Sequence, residues 1–260
     1  MLASNLLRFF SFLAGAAHAV NLTVASHGGN SSSPLMYGIM FEDINHSGDG
    51  GLYAELIQNR AFQGSTEYPS TLTPWEAVGN AELTLQNTTV PLSWALPVSV
   101  NVAQGDTDIV GGVIGLQNPG WWGFSVKPQT YTGSFWALGS YKGDFTVKLQ
   151  SATTPQVWAS VDVKSECQQG KWVEHKYQLN PKVAAPNTNN TFILEFQPGQ
   201  GSVNFNLISL FPPTFNNRPN GLRPDLMEGL KALNPSYLRF PGGNNLCDIL
   251  WMSREDTTFG

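Results

Sequence analysis

The apolar and polar positions divide the chain into three stretches. From about Thr73 to Pro212 the apolar runs are short and rich in β-branched and aromatic residues, as in Gly133–Leu138, Phe145–Leu149, Val157–Val161 and Phe192–Phe196. Gly, Pro, Asn and Ser punctuate them, which is the pattern of strands joined by turns. Many such runs with no helical period between them predict a β-sandwich or jelly roll. The flanks read differently. Met36–Phe41 is a compact apolar strand, and Leu52–Arg60 sets Leu52, Leu56 and Ile57 on one helical face. Beyond the β-rich stretch, Leu222, Leu226, Leu230 and Leu233 recur at helical spacing, with Pro224 and Asp225 suited to a first turn. Asn234-Pro235 ends that helix, and Ser236–Phe240 follows as a strand closed by Pro241-Gly242-Gly243. Strand–helix, an inserted β domain, then helix–strand is the order of an α/β repeat interrupted by a sandwich. The expected divisions are residues 20–72, 73–212, 213–246 and a tail at 247–260.

Residues 1–19 read as a secretory signal. Arg8 supplies the positive start, Phe9 to Ala17 a short apolar core, and Ala17-His18-Ala19 a cleavage site. The apolar run is shorter than the ~20 residues a membrane span needs. The expectation is a secreted, extracellular chain without a membrane partner. Asn-x-Ser/Thr sequons at Asn21, Asn30, Asn45, Asn87 and Asn189 mark possible glycan sites, hence surface. Cys167 and Cys247 lack metal-ligand spacing; a disulfide between them and a pair of unrelated thiols both stand.

Composition narrows the function classes. Charged residues make up 13% of the chain and the net charge is −5, so no basic surface awaits nucleic acid. No CxxC, HExxH or P-loop occurs, and four scattered histidines make no zinc site; no metal or cofactor is expected. Three clusters could carry chemistry. Phe41-Glu42-Asp43-Ile44-Asn45-His46 follows the first strand, where an α/β barrel builds its active face; Glu42 and Asp43 would equally serve as caps of a following helix. Arg239-Phe-Pro-Gly-Gly-Asn244 occupies the equivalent place after the later strand, although an isolated PGG is also an ordinary turn. The tryptophans of the sandwich, Trp121, Trp122, Trp136, Trp158 and Trp172, build cores or stack on sugar rings. Adjacent strand residues face opposite ways, so one of Trp121 and Trp122 is expected to point outward.

Residues 36–63 (MYGIMFEDINHSGDGGLYAELIQNRAFQ) and 209–246 (SLFPPTFNNRPNGLRPDLMEGLKALNPSYLRFPGGNNL) resemble the fungal α-L-arabinofuranosidases of glycoside hydrolase family 51 type. The segments YTGSFWALG and KWVEHKYQL are similar to the carbohydrate-binding-like insert of those enzymes. The resemblance implies a (β/α)₈ barrel interrupted by the sandwich, a retaining mechanism through two glutamates ~5–5.5 Å apart, and arabinose-containing plant cell-wall polysaccharides as partners. By matching motif it implies substrate-binding roles for Glu42 and Asn244, and for Arg239 support of the nucleophile's charge. No segment of this chain resembles the acid/base motif or the nucleophile strand. After Leu246 the sequence departs from the family pattern, and Glu255 and Asp256 in the tail take no assigned role. The resemblance therefore implies the N-terminal part of such an enzyme, with an incomplete barrel and no catalytic glutamate, or else a non-catalytic carbohydrate-binding sandwich or an inactive truncation product.

Overall fold

The computed structural model describes residues 22–106 and 112–242. The expected signal segment, Asn21, Asn244, Cys247 and the tail lie outside them.

Ten antiparallel strands form the β-rich middle. Strands β2 (Glu76–Gly79), β5 (Ile114–Asn118), β10 (Asn190–Phe196), β7 (Asp144–Ser151) and β8 (Val157–Lys164) make one five-stranded sheet in that order. Strands β3 (Ala81–Asn87), β4 (Val98–Gln104), β11 (Val203–Phe211), β6 (Tyr131–Leu138) and β9 (Val173–Leu179) make the other. One core cluster draws on both sheets, so they face each other as a sandwich. Alternation decides which residues enter it. On β7, Phe145, Val147 and Leu149 point inward while Thr146 and Lys148 do not; on β6, Phe135 and Ala137 do the same. The middle strands lose the alternation because both their faces are covered. All seven residues of β10 are buried.

Aromatic rings fill the centre. Phe135 lies 5.3 Å from Phe145 and 5.8 Å from Phe205, both edge-on, as ring quadrupoles favour. His175 stacks on Phe135 with ring planes 4° apart. The Glu166 amide donates to His175 Nε2 (3.0 Å), so Nδ1 carries the proton and donates to the Val173 carbonyl (3.1 Å). Burial holds this histidine's pKa below its ordinary value. Cys167 is a buried thiol whose pKa burial raises. Trp75 and Trp172 are core residues, and Trp158 packs against the core. Their indole N–H groups donate to the Asn59 carbonyl, the Val90 carbonyl and Asn190 Oδ1, respectively.

The flanks supply β1 (Ile39–Met40), β12 (Leu238–Arg239) and one helix, α1 (Pro224–Ala232). β1 and β12 pair in parallel, Ile39 with Leu238 and Met40 with Arg239. The α1 helix begins with Pro224 in its first turn, as predicted, but Leu222, expected on the same helix, lies ahead of it in a bridge to Tyr53; Asn234 beyond the helix end takes φ +47°.

Leu52–Arg60 does not form the predicted helix. Gly48–Leu52 is an irregular turn with Gly50 at φ +83°, and the chain then runs extended to clasp the sandwich. Tyr53 bridges Leu222 in antiparallel fashion, the Ala54 amide donates to Gly221 and the Arg223 amide to Leu52. Further on, the Leu56 amide donates to Leu210, and the Ile208 amide to Arg60. Pairing with β11 gives these amides partners a lone helix would otherwise provide, so tertiary contacts override the helical spacing. Ala54 and Ile57 are buried as a result.

Candidate functional site

The parallel pairing of β1 and β12 brings their C-terminal ends together. Glu42 leaves one strand and Arg239 closes the other, so the two clusters expected to be equivalent do share one end of a strand pair. The Phe41 amide donates to the Arg239 carbonyl (3.1 Å) and the Gly242 amide back to the Phe41 carbonyl (2.6 Å). Phe41 and Phe240 rings meet at 5.7 Å. Glycine suits position 242, because a Cβ there would lie 2.8 Å from the Phe41 carbonyl oxygen and 2.2 Å from Met40 Cγ. Arg239 is exposed, and Phe240-Pro241 is a cis peptide.

The loop after β1 is tied down locally. Asp43 Oδ1 accepts from the Gly48 amide (2.9 Å), and the Ser47 hydroxyl donates to the Glu42 carbonyl (2.8 Å). Asp43 therefore closes a loop and caps no regular helix. Asn45 and His46 both take left-handed backbone angles, φ +50° and +61°. That reversal brings the His46 ring against Trp121, centroids 4.8 Å apart and planes tilted by 52°, with Trp122 edge-on at 6.1 Å. Trp121 and Trp122 are not strand neighbours as predicted. They occupy a turn after β5, between Gly120 (φ +70°) and Gly123 (φ +82°). Trp121 is packed in: a Cβ on Gly50 would come within 2.6 Å of its ring. Its indole N–H is buried without a hydrogen-bond partner among the described residues. Trp122 is 67% exposed.

A cleft of about 410 Å³ opens here, lined among others by Tyr53, Trp121, Trp122, Lys127, Arg223 and Asp225. Arg223 grips Asp225 at 2.6 and 3.2 Å, and this hydrogen-bonded pairing lowers the Asp225 pKa. A larger groove, about 1190 Å³, runs where β8 and β9 form the sandwich edge; Asp162, Lys164, Glu174 and Lys176 are among its lining. The aromatic residues along it, Tyr177 and Phe211, are themselves buried. The smaller cleft is the better candidate, because it has an exposed ring beside polar groups.

Sequence reasoning missed Glu55. It is 4% exposed, and its Oε1 accepts from the Leu210 amide (2.8 Å) and the Ile57 amide (3.0 Å), while Arg60 approaches Oε2 at 3.3 Å. Burial raises its pKa from the ordinary 4.5 to about 7, against the opposing effect of those hydrogen bonds and Arg60. Arg60 in turn lies over the Tyr53 ring at 5.5 Å. A glutamate inside an otherwise apolar run was the only available signal; its partner Leu210 is 155 positions away. Trp94, 93% exposed in the β3–β4 connection, was also missed. The described sequon residues Asn30, Asn45, Asn87 and Asn189 are all exposed, and Asn45 sits in the loop beside His46.

Fold and site together define a β-sandwich protein whose sandwich interrupts a parallel strand pair, with an aromatic cleft at the junction. Over about a third of their length, the chain is homologous to the α-L-arabinofuranosidases of the glycoside hydrolase family 51 type. It is 40% identical over 233 residues to alpha-L-arabinofuranosidase A of Aspergillus kawachii, spanning 88% of this chain and 36% of that protein. Against alpha-L-arabinofuranosidase 1 of Arabidopsis thaliana the identity is 30%, spanning 86% and 34%. An arabinose-bound family 51 arabinofuranosidase structure superposes with a TM-score of 0.75 at 42% identity, over 82% of this chain and 35% of that one. No family model matches the chain.

Proposed function

We propose that this chain supplies the substrate-facing elements of a secreted glycoside hydrolase that removes non-reducing terminal α-L-arabinofuranosyl residues from arabinan and arabinoxylan with retention. In this reading β1, α1 and β12 belong to a (β/α)₈ barrel, and the sandwich is a jelly-roll, carbohydrate-binding-like insert. Glu42 and Arg239 face the sugar from the barrel's active end, with Asn244 beside them, Arg239 supporting the charge of the nucleophile. Neither catalytic glutamate has a counterpart in this chain. The observation that carries the proposal is the parallel pairing of β1 with β12, which sets Glu42 and Arg239 at one strand end, together with the arabinose-bound homologue of 42% identity.

Activity and binding test different halves of the proposal. The 260-residue chain is expected to give no turnover of 4-nitrophenyl α-L-arabinofuranoside, and to be retarded in native gels containing arabinoxylan or arabinan. Ordinary turnover would overturn the placement of the glutamates outside the chain. Unchanged migration with every polymer would overturn glycan binding. A non-catalytic carbohydrate-binding sandwich is the second reading, favoured by the exposed Trp122 beside the cleft. It predicts that the retardation survives Glu42→Ala, whereas the first reading predicts that arabinan binding weakens.

A further inference from the structure

The two tryptophans do different work. Trp121 has the His46 ring tilted against it at 4.8 Å and Gly50 pressed against its ring, so it is the less exposed of the two. Trp122 is largely exposed, and next to it the chain alternates cleanly. Phe124 and Val126 are buried in the core, while Ser125 and Lys127 are exposed along the cleft. The Tyr131 hydroxyl fixes that ledge, accepting from the Lys127 amide (2.9 Å) and donating to the Ser125 carbonyl (3.1 Å). The Arg223–Asp225 pair lines the same cleft, and its carboxylate is 64% exposed. The result is one flat apolar face bordered by donors and an acceptor.

That combination selects between sugar ring types. A pyranose chair with equatorial hydroxyls presents a flat patch of axial C–H bonds to an aromatic face, and directs its hydroxyls sideways to polar neighbours. A furanose is a puckered five-membered ring with a projecting hydroxymethyl arm, and presents no comparable flat face. We infer that Trp122 is a platform for a pyranose of the polymer's main chain, and that the cleft holds the backbone to which the arabinofuranose is attached. The inference rests on the glycan-binding reading above and adds a substrate preference, for branches on a pyranose backbone over an all-furanose polymer. The loop Glu42–Leu52, running from the end of β1 to the Trp121 ring, links this platform to the strand end that carries Glu42 and Arg239.

Affinity electrophoresis of the whole chain in gels of arabinoxylan, debranched xylan and linear arabinan tests the inference. Trp122→Ala is expected to lose roughly tenfold in affinity for both xylans, the scale of one aromatic contact, and nothing for arabinan. Trp122→Phe should restore most of the xylan retardation, and thermal melts of the variants should match the parent. Equal losses on xylan and arabinan, or no loss on xylan, would overturn the platform role while leaving glycan binding intact. If the parent chain ignores all three polymers, the underlying reading falls and this one with it.

Discussion

Every residue of β10 is buried; no residue of α1 is. Both carry strong apolar patterns, and they differ in whether the partner surface lies among the described residues. In the sandwich each inward face meets the opposing sheet, and Phe135, Phe145 and Phe205 are 0% exposed. In the flank, Leu226, Leu233, Leu238 and Phe240 stay 38–68% exposed. Exposed apolar faces of this kind mark surfaces that belong against something else. The sandwich carries its own stabilisation, and the strand–helix–strand elements contribute little of theirs.

Three measurements would break or sharpen that contrast. The largest effect belongs to the core. Phe135→Ala removes a ring packed against Phe145, His175, Tyr177 and Phe205, and should cost roughly 3–5 kcal/mol in urea unfolding. A loss below about 1 kcal/mol would mean that the sandwich is not the cooperative unit.

Next comes Glu55, at the seam between the two regions. Its pKa is raised on folding, so the folded chain keeps a proton that the unfolded chain releases near 4.5. The stability this provides is full below pH 4.5 and is lost as the pH rises to about 7, an effect on the order of 3 kcal/mol. Arg60 faces the carboxyl, and Tyr53 and Tyr177 lie close by. Glu55→Gln keeps an acceptor for the Leu210 and Ile57 amides but exchanges no proton, so unfolding followed between pH 4.5 and 7 should lose that decline. His175, whose lowered pKa gives the opposite slope, is common to both proteins and drops out of the difference. An unchanged pH profile in the variant would refute the assignment to Glu55.

The smallest effect is expected in α1. Leu226→Ser alters a residue already 38% exposed and should stay within about 0.5 kcal/mol of the parent. A loss above about 1 kcal/mol would show that this face is covered in solution, and the contrast between the two regions would fail.

These regions also differ in how far the sequence could be read. The β-rich middle was legible because period-two alternation survives in strands such as β7, and because Gly, Pro and Asn mark the turns between them. The two flank strands were legible as apolar runs ending in polar clusters at equivalent places, whereas their direct parallel pairing had no local sign. Leu52–Arg60 was misread because its helical spacing is real but outweighed by backbone pairing with β11, an element about 150 residues later. The Trp121-Trp122 turn carried a local sign, Pro119-Gly120 just ahead, which argues for a turn over a continuing strand. The contact of His46 with Trp121 had no such sign, since it follows two successive left-handed residues, Asn45 and His46, that the sequence does not announce.

The clasp between Leu52–Ala54 and Gly221–Arg223 has a consequence for how the chain reaches its fold. β1 and β12 are about 200 residues apart, and closing so long a loop costs entropy that grows with the logarithm of its length. With the sandwich folded and the clasp made, the separation that matters shrinks to two short arms, Phe41–Leu52 and Arg223–Tyr237. For the strand pair, the sandwich then acts like the tight turn of a hairpin. An insert held this way can vary in length, loops or ligand without altering the register of the strands it interrupts.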